Sequence, residues 1–434
     1  MISNTDSNVW IKTLTLNNFR MYRQLEVSFE KDYTVLIGLN GAGKSTILDA
    51  LSVALGTFTG VFTEKAYYTI KNRDARIETA QMGSRMDAQH IYPAEVECYG
   101  FIGTSEPVRW KRALNGKDRK NTRADAAEIM NIAKDMLGHI RESECILPIF
   151  ASYGTGRLWA QTYSKSFSSE QWNRQGGYDD CLNASMNQRK MIKWFQDMTL
   201  IGIQNNEPVP ELNAVEKAIA ECFIKSEKTI QSANIFYSIK DKALVIDIKR
   251  DDGVQRLPID MLSDGERDVI ILVADIAYRM ALLNPQLLDK VLETPGIVLI
   301  DEIDMHLHPQ WQKYILTDLK KVFPNVQFIV TTHSPTVINN ISAEHVRIVD
   351  GKNAYEVNRQ TYGRDLNDIM LDLMGIDVRP QEIISLQSEF DKAVDDDDLS
   401  KAENVLDHMK KLMGENSSEV IKNQIALDVE RIDV

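Results

Sequence analysis

Cysteine, histidine and long apolar runs are all scarce in this chain. Its four cysteines, Cys98, Cys145, Cys181 and Cys222, form no C-x-x-C pair, which speaks against a disulfide framework or a thiolate zinc site and for reduced thiols. Among seven histidines only His306-Leu-His308 makes a close pair, and Pro309 directly behind it marks a helix start rather than a metal site. No stretch approaches a membrane span, since the most apolar helical run carries Asp275 and Arg279. The opening Met-Ile-Ser-Asn-Thr-Asp has neither basic nor apolar signal character, so a cytoplasmic location without a membrane partner is expected. Sustained apolar heptads are missing between Lys44 and Ser263, which excludes a long coiled coil there. Positive charge is also in deficit: the net charge of −13 argues against indiscriminate binding of nucleic acid over the whole surface.

What is present is a phosphate loop. Gly38-Leu-Asn40-Gly41-Ala-Gly43-Lys44-Ser45-Thr46 fits G-x-x-x-x-G-K-[ST] and lies between an apolar strand, Tyr33–Ile37, and a helical pattern of Ile47, Leu48, Leu51, Ala54 and Leu55 ending at Gly56. Glycines let backbone N–H groups converge on phosphates at the positive end of the following helix. Lys44 is expected to reach the β- and γ-phosphates of ATP and Ser45 to ligate Mg²⁺. Far downstream, Gly296-Ile-Val-Leu-Ile-Asp301-Glu302 reads as a short apolar strand ending in two acids. Asp301 then shares the metal, and Glu302 is placed to orient or deprotonate the attacking water. Another apolar strand, Val326–Val330, ends in Thr331-Thr-His333-Ser-Pro335, where His333 can hydrogen-bond the γ-phosphate.

Between the two halves stands Met261-Leu-Ser263-Asp-Gly265-Glu-Arg267. Ser263 makes a good N-cap for the long helix that stops at Asn284-Pro285, and the same hydroxyl with the Gly265 amide forms a second phosphate-binding surface. The order of these motifs resembles that of ABC-type ATPases, which implies a P-loop α/β head with an antiparallel β subdomain. The resemblance also implies that Ser263 and Gly265 act in trans, closing on nucleotide held by another head. Asp264 stands where that family carries a second glycine.

The branch follows from spacing and from the N-terminus. The signature lies 219 residues beyond Lys44, much further than in transporter ATPases, and Trp10–Arg20 followed by Leu25–Phe29 resembles the opening of the RecF, SMC and OLD groups. OLD nucleases carry a Toprim domain after the switch histidine. The 101 residues beyond His333 show no such acidic cluster on alternating strands, so no Toprim domain is expected. Asn18-Phe19-Arg20, Tyr153-Gly-Thr-Gly-Arg157, Leu262–Arg267, Asp301–Gln310 and Tyr362-Gly-Arg-Asp-Leu366 together resemble the PtuA family, the ATPase subunits of bacterial Septu anti-phage defence systems. That resemblance implies head dimers that assemble further and recruit a separate PtuB-like HNH nuclease.

The expected organisation is a split ATPase head at 1–114 and 230–360, a mainly helical insertion at 115–229, and an acidic helical tail at 361–434 for assembly or partner docking. From Gln381 onward the tail holds 14 acidic and 6 basic residues, a net −8, including Asp395-Asp-Asp-Asp398. Its apolar stripes are Ile383, Phe390 and Val394, then Val405, Met409 and Leu412. The basic stretches Arg109–Arg112 and Lys117–Arg123 read either as an outward face of a β-hairpin or as a phosphate-backbone contact. Tyr153–Arg157 reads either as a glycine turn or as an element that senses nucleotide or a partner, with Arg157 reaching an anion. Three functions stay open: a defence ATPase gating a partner nuclease and touching DNA only indirectly or weakly, a RecF-like repair ATPase acting directly on DNA, and a nucleotide-binding switch with little turnover.

Overall fold

The computed structural model describes residues 8–63, 68–82, 85–157, 172–183, 188–226, 230–376 and 379–431. The opening seven residues, part of the 115–229 insertion and the last three residues of the tail lie outside them. Two compact units divide the chain, Met1–Ile369 and Met370–Val434. The boundary falls downstream of residue 361. Thr361, fully buried, donates to the Ile341 carbonyl at 2.5 Å, and Gly363 N–H donates to the Asn339 carbonyl at 2.8 Å, which holds Tyr362-Gly-Arg on the first unit.

The first unit is built on a six-stranded sheet in the order Ala354–Glu356, Val346–Val349, Tyr33–Ile37, Val326–Thr331, Gly296–Ile300, Ile149–Tyr153. All neighbours pair in parallel except the antiparallel edge hairpin formed by the first two. Strands buried on both faces read as continuous apolar runs, and Gly296–Ile300 and Val326–Thr331 are buried at every position. Strand order places the ends of Tyr33–Ile37, Gly296–Ile300 and Val326–Thr331 side by side, so three segments distant in sequence open onto one edge.

A second, antiparallel sheet runs Tyr22–Ser28, Val9–Phe19, Ala94–Ile102, Val108–Leu114. Burial alternates strictly along Ala94–Ile102, as the two-residue period of a half-buried strand requires. Helix Lys44–Thr59 contacts strands of both sheets, and Trp110 Nε1 donates to the Ala54 carbonyl at 3.2 Å. The helix continues past Gly56, against which Tyr68 packs, and stops at Gly60. Buried Gln327 donates to the Ile11 and Glu30 carbonyls and accepts from Ile11 N–H, fastening the two sheets together.

A meander of Ser232–Ser238, Ala243–Arg250 and Gly253–Pro258 leads into the signature helix, Asp264–Leu283. Helices Gln188–Asn205 and Pro210–Ser226 of the insertion pack on that helix. Hairpin Ile77–Met82 with Arg85–His90, which the sequence patterning did not announce, is almost wholly exposed. Its residues have no buried face to impose a two-residue alternation, so periodicity could not reveal it.

The basic stretch at 109–112 forms one strand of a β-hairpin with Ala94–Ile102. Arg109 pairs with Glu97, Lys111 with Glu95 at 3.2 Å, and Arg112 is buried, donating to Thr57 and to the Thr122 carbonyl. Arg109 and Lys111 are therefore occupied by acids of the neighbouring strand, and Arg112 by a helix hydroxyl and a loop carbonyl.

The second unit contains helices Gln381–Asp395, Leu399–Met413 and Ser418–Glu430 around Phe390, Ala402, Leu406, Met409, Val420 and Leu427. Phe390, Val405 and Met409 of the expected stripes enter this interior, whereas Leu412 is 48% exposed. The aspartate run is the turn between two helices: Asp397 takes φ +58° and Asp398 caps the next helix by accepting from Lys401 N–H. No helix among the described residues is long and apolar enough to cross a membrane.

Candidate functional site

Gly38–Thr46 turns from strand to helix with Gly41 at φ +79° and Gly43 at φ +95°. Gly43 has a second constraint, because a Cβ there would sit 2.1 Å from Tyr22 Oη and 2.6 Å from Met21 Sδ. Tyr22 in turn donates to the Ala42 carbonyl at 2.9 Å, bracing the loop from below. The Asn18-Phe19-Arg20 turn supports the same corner, with Arg20 bonded to Asp49 at 2.5 Å and Asp74 at 2.9 Å. Asn40, Gly41 and Ser45 are exposed, Thr46 is half-buried and Gly38 is buried.

Lys44 Nζ donates to the carbonyls of Gly38 and Leu39 at 2.9 and 3.2 Å, inside the curl of the loop. Burial lowers its pKa below the ordinary lysine value, opposed by the nearby carboxylates of Asp301, Glu302 and Asp304. Ser45 Oγ donates to Asp301 Oδ2 at 2.8 Å, joining residues 256 positions apart. Asp301 Oδ1 accepts from Thr331 Oγ1 at 2.6 Å, and the same hydroxyl accepts from Glu302 N–H at 2.7 Å. Glu302 adopts φ +48°, a left-handed conformation that a non-glycine residue holds only where its surroundings enforce it. His333, half-buried, donates its N–H to Asp304 Oδ1 at 3.3 Å, and Thr332 Oγ1 bonds the same oxygen at 2.5 Å. Lys44, Ser45, Asp301, Glu302 and His333 thus come to one edge of the sheet.

The signature residues have a different setting. Ser263 and Glu266 form a reciprocal capping box: Ser263 N–H and Oγ both bond Glu266 Oε2, at 2.9 and 2.6 Å, and Glu266 N–H returns to Ser263 Oγ. The side-chain hydrogen bonds of Ser263 all go to Glu266, and none reaches Gly38–Thr46 among the described residues. Ser263 is exposed. Gly265 is buried against the loop that follows Asp301-Glu302, where a Cβ would lie 2.4 Å from the His306 carbonyl. Any larger residue there would push the helix start off that loop.

Arg157 does reach an anion, but an internal one: Asp268 of the signature helix, at 2.6 to 2.9 Å. Tyr153 Oη donates to Asp275 on the same helix at 2.8 Å, and Arg279 holds that carboxylate at 2.7 Å. Reading the sequence for motifs missed both ties. The signal was available, since two acids seven residues apart on an otherwise apolar helix require buried cationic or hydroxyl partners. Tyr22, Thr331 and Asp304 were also missed, because nothing local distinguishes them. His308 caps the helix starting at Pro309, its Nδ1 accepting from Gln310 N–H.

The RecF/RecN/SMC N terminal domain family matches residues 10–356, which span the phosphate loop, signature and acid pair. This chain belongs to that family. Among curated relatives, the retron Ec83 probable ATPase of Escherichia coli is 27% identical over 86% of this chain and 77% of its own length. The Septu protein PtuA of Bacillus thuringiensis is 24% identical over 90% of this chain and 91% of its own. Among solved structures, an SMC head bound to the C-winged helix domain of ScpA is 19% identical, covering 81% of this chain and 98% of its own, at a TM-score of 0.48.

Proposed function

We propose that this chain is an ABC-type ATPase of the RecF/SMC branch serving as the ATP-hydrolysing subunit of a bacterial anti-phage defence complex. The observation that carries the reading is the Ser45 Oγ–Asp301 Oδ2 bond, which brings the phosphate-loop hydroxyl and the strand-end carboxylate to one point. That oxygen pair is a hard-ligand set suited to Mg²⁺, which when bound would neutralise charge on the β- and γ-phosphates. The amides of Gly38, Asn40, Gly41, Gly43 and Thr46 and the Lys44 ammonium hold the triphosphate. Glu302 accepts a proton from the attacking water, and His333 donates to the γ-phosphate end. Since the bonds of Ser263 among the described residues stay within its own helix start, its exposed hydroxyl, with the Gly265 amide two residues on, is offered to nucleotide on a second copy.

In this reading head dimers assemble further in the cytoplasm, and residues 361–434 form the assembly or docking module for a separate HNH-type nuclease. The ATPase senses or gates, the partner cuts, and DNA is touched indirectly. The functional division into head (1–114 and 230–360), insertion (115–229) and tail belongs to the same proposal, with two amendments: strand Ile149–Tyr153 pairs into the head's sheet, and the tail begins after Ile369. The pairing of Arg109 with Glu97 and of Lys111 with Glu95 favours it over direct action on DNA through that strand.

Mixing Lys44→Ala and Ser263→Arg subunits tests the shared site. Each variant alone should be inactive, and the mixture should recover part of the activity through dimers holding one intact composite site. Full turnover by Ser263→Arg alone, or no recovery on mixing while both variants still dimerise, would overturn the reading.

A further inference from the structure

Arg157 occupies a place that neither nucleotide binding nor the acid pair accounts for. Its side chain is fully buried, as is Asp268. Nε and Nη2 fork onto the Asp268 carboxylate at 2.6 to 2.9 Å. The remaining donors turn the other way: Nη1 to the Asp301 carbonyl at 2.8 Å and Nη2 to the Glu302 carbonyl at 3.2 Å. One rigid guanidinium therefore joins three segments: the end of strand Ile149–Tyr153, the first turns of the signature helix, and the two peptide planes flanking Glu302.

A brace that served stability alone would need only the carboxylate. The second pair of bonds fixes the carbonyls on either side of the residue held at φ +48°, and so sets the direction in which the Glu302 side chain leaves the backbone. Gly265 pressed against the His306 carbonyl gives the same helix a second contact with the same loop. A displacement of the signature helix must therefore be felt at Glu302. The neighbouring tie, Asp275 with Tyr153 and Arg279, differs in reaching no carbonyl of the acid pair.

We infer that Arg157 is a positioning residue that links the signature helix to the catalytic carboxylate of its own chain, so that closure of one composite site sets the geometry of the other. The inference rests on the shared-site reading above, in which Ser263 serves nucleotide on the sister chain while Glu302 serves nucleotide on its own. Lysine cannot replace arginine here, because a point charge cannot fork onto a carboxylate and hold two carbonyls at once.

The test replaces the buried pair together, Arg157→Met with Asp268→Leu, which removes both charges without orphaning either. The full chain is assayed for ATP affinity, for KM and kcat, and in heterodimers isolated through two different tags that carry one intact composite site (Lys44→Ala with Ser263→Arg). ATP affinity and KM should stay within about twofold, while kcat falls roughly 10- to 100-fold, the scale of a misplaced catalytic group. In the native background the one-site dimer should turn over at well under half the two-site rate. In the double variant that ratio should rise to one half, as for independent sites. Native kcat in the double variant, or a native one-site dimer already at half rate, overturns the inference. Should the double variant not fold, Arg157→Lys is read by the same two quantities. Native turnover by Ser263→Arg would instead remove the shared-site reading, whereas an inactive Ser263→Arg beside a fully active double variant removes the link alone.

Discussion

At the carboxyl edge of the six-stranded sheet, Lys44, Asp301, Glu302 and Asp304 crowd charge into buried and half-buried positions. The interior of the C-terminal unit holds Phe390, Ala402, Leu406, Met409 and Leu427, with Asn423 the only buried polar side chain among its described residues. Asn423 is answered by Gln387, which donates to and accepts from it at 3.2 and 2.9 Å. The first region spends polar groups on geometry, with strain at Glu302 and a desolvated lysine held in place by the strands beneath. The second region is organised by apolar burial on three short helices. The proposed nucleotide chemistry and the stability of the C-terminal unit thus rest on different chemistry in different parts of one chain, and substitutions should separate them.

The largest expected effect lies at the charged edge. Lys44→Ala removes the ammonium from the phosphate loop and should weaken ATP binding at least 100-fold, as read by equilibrium titration, because a charge-assisted contact in a desolvated site is lost. Thermal stability without nucleotide should change little or rise, since a buried cation is deleted. Next comes Glu302→Gln, which keeps the shape and the φ +48° backbone but removes the proposed proton acceptor. Turnover should fall about 10²- to 10⁴-fold with ATP affinity unchanged, and ATP-bound dimers should accumulate in sedimentation. Equal loss of affinity and turnover would mean that Glu302 binds rather than reacts.

In the C-terminal unit the sign of the separation reverses. Phe390→Ala empties the centre of the three-helix interior and should cost that unit about 3–5 kcal/mol, seen as a lower unfolding midpoint, while ATP affinity holds. A deletion meant to separate the regions should begin at Met370. Cutting at Asp395 would leave Ile383 and Phe390 without the helices that cover them.

The smallest effect concerns Glu216 on helix Pro210–Ser226, whose pKa burial pushes up to about 7. A raised carboxyl favours the protonated fold, so its contribution is intact below the unfolded value near 4.5 and is lost as pH rises through about 7. Glu216→Gln should therefore be neutral near pH 4 and stabilise the protein by about 1–2 kcal/mol at pH 8, an amount discounted for the group's partial exposure. A stability gain that does not depend on pH would assign the effect to packing.

Residues whose role is local are legible in the sequence alone. The phosphate loop needs contiguous glycines and a Lys-Ser ending, the acid pair needs an apolar run before it, and Ser263 with Glu266 three positions on is a capping box written in sequence. Strands Ala94–Ile102 and Val108–Leu114 were legible because each has one buried face. The exposed hairpin at 77–90 was not, for want of one. Arg157 was visible as a cation beside two glycines, but its partner was undetermined, since Asp268 lies 111 positions away.

Sequence by itself therefore determined the family, its ATPase character and the motifs here proposed to bind phosphate, because those depend on short contiguous patterns with fixed backbone requirements. Only the tertiary structure decided which acid Arg157 holds, that Gly265 must clear the His306 carbonyl, and that Thr331 orders both Asp301 and the backbone of Glu302. Those are pairings between segments that strand order brings together, and buried polar groups accept whichever partner the completed sheet presents to them.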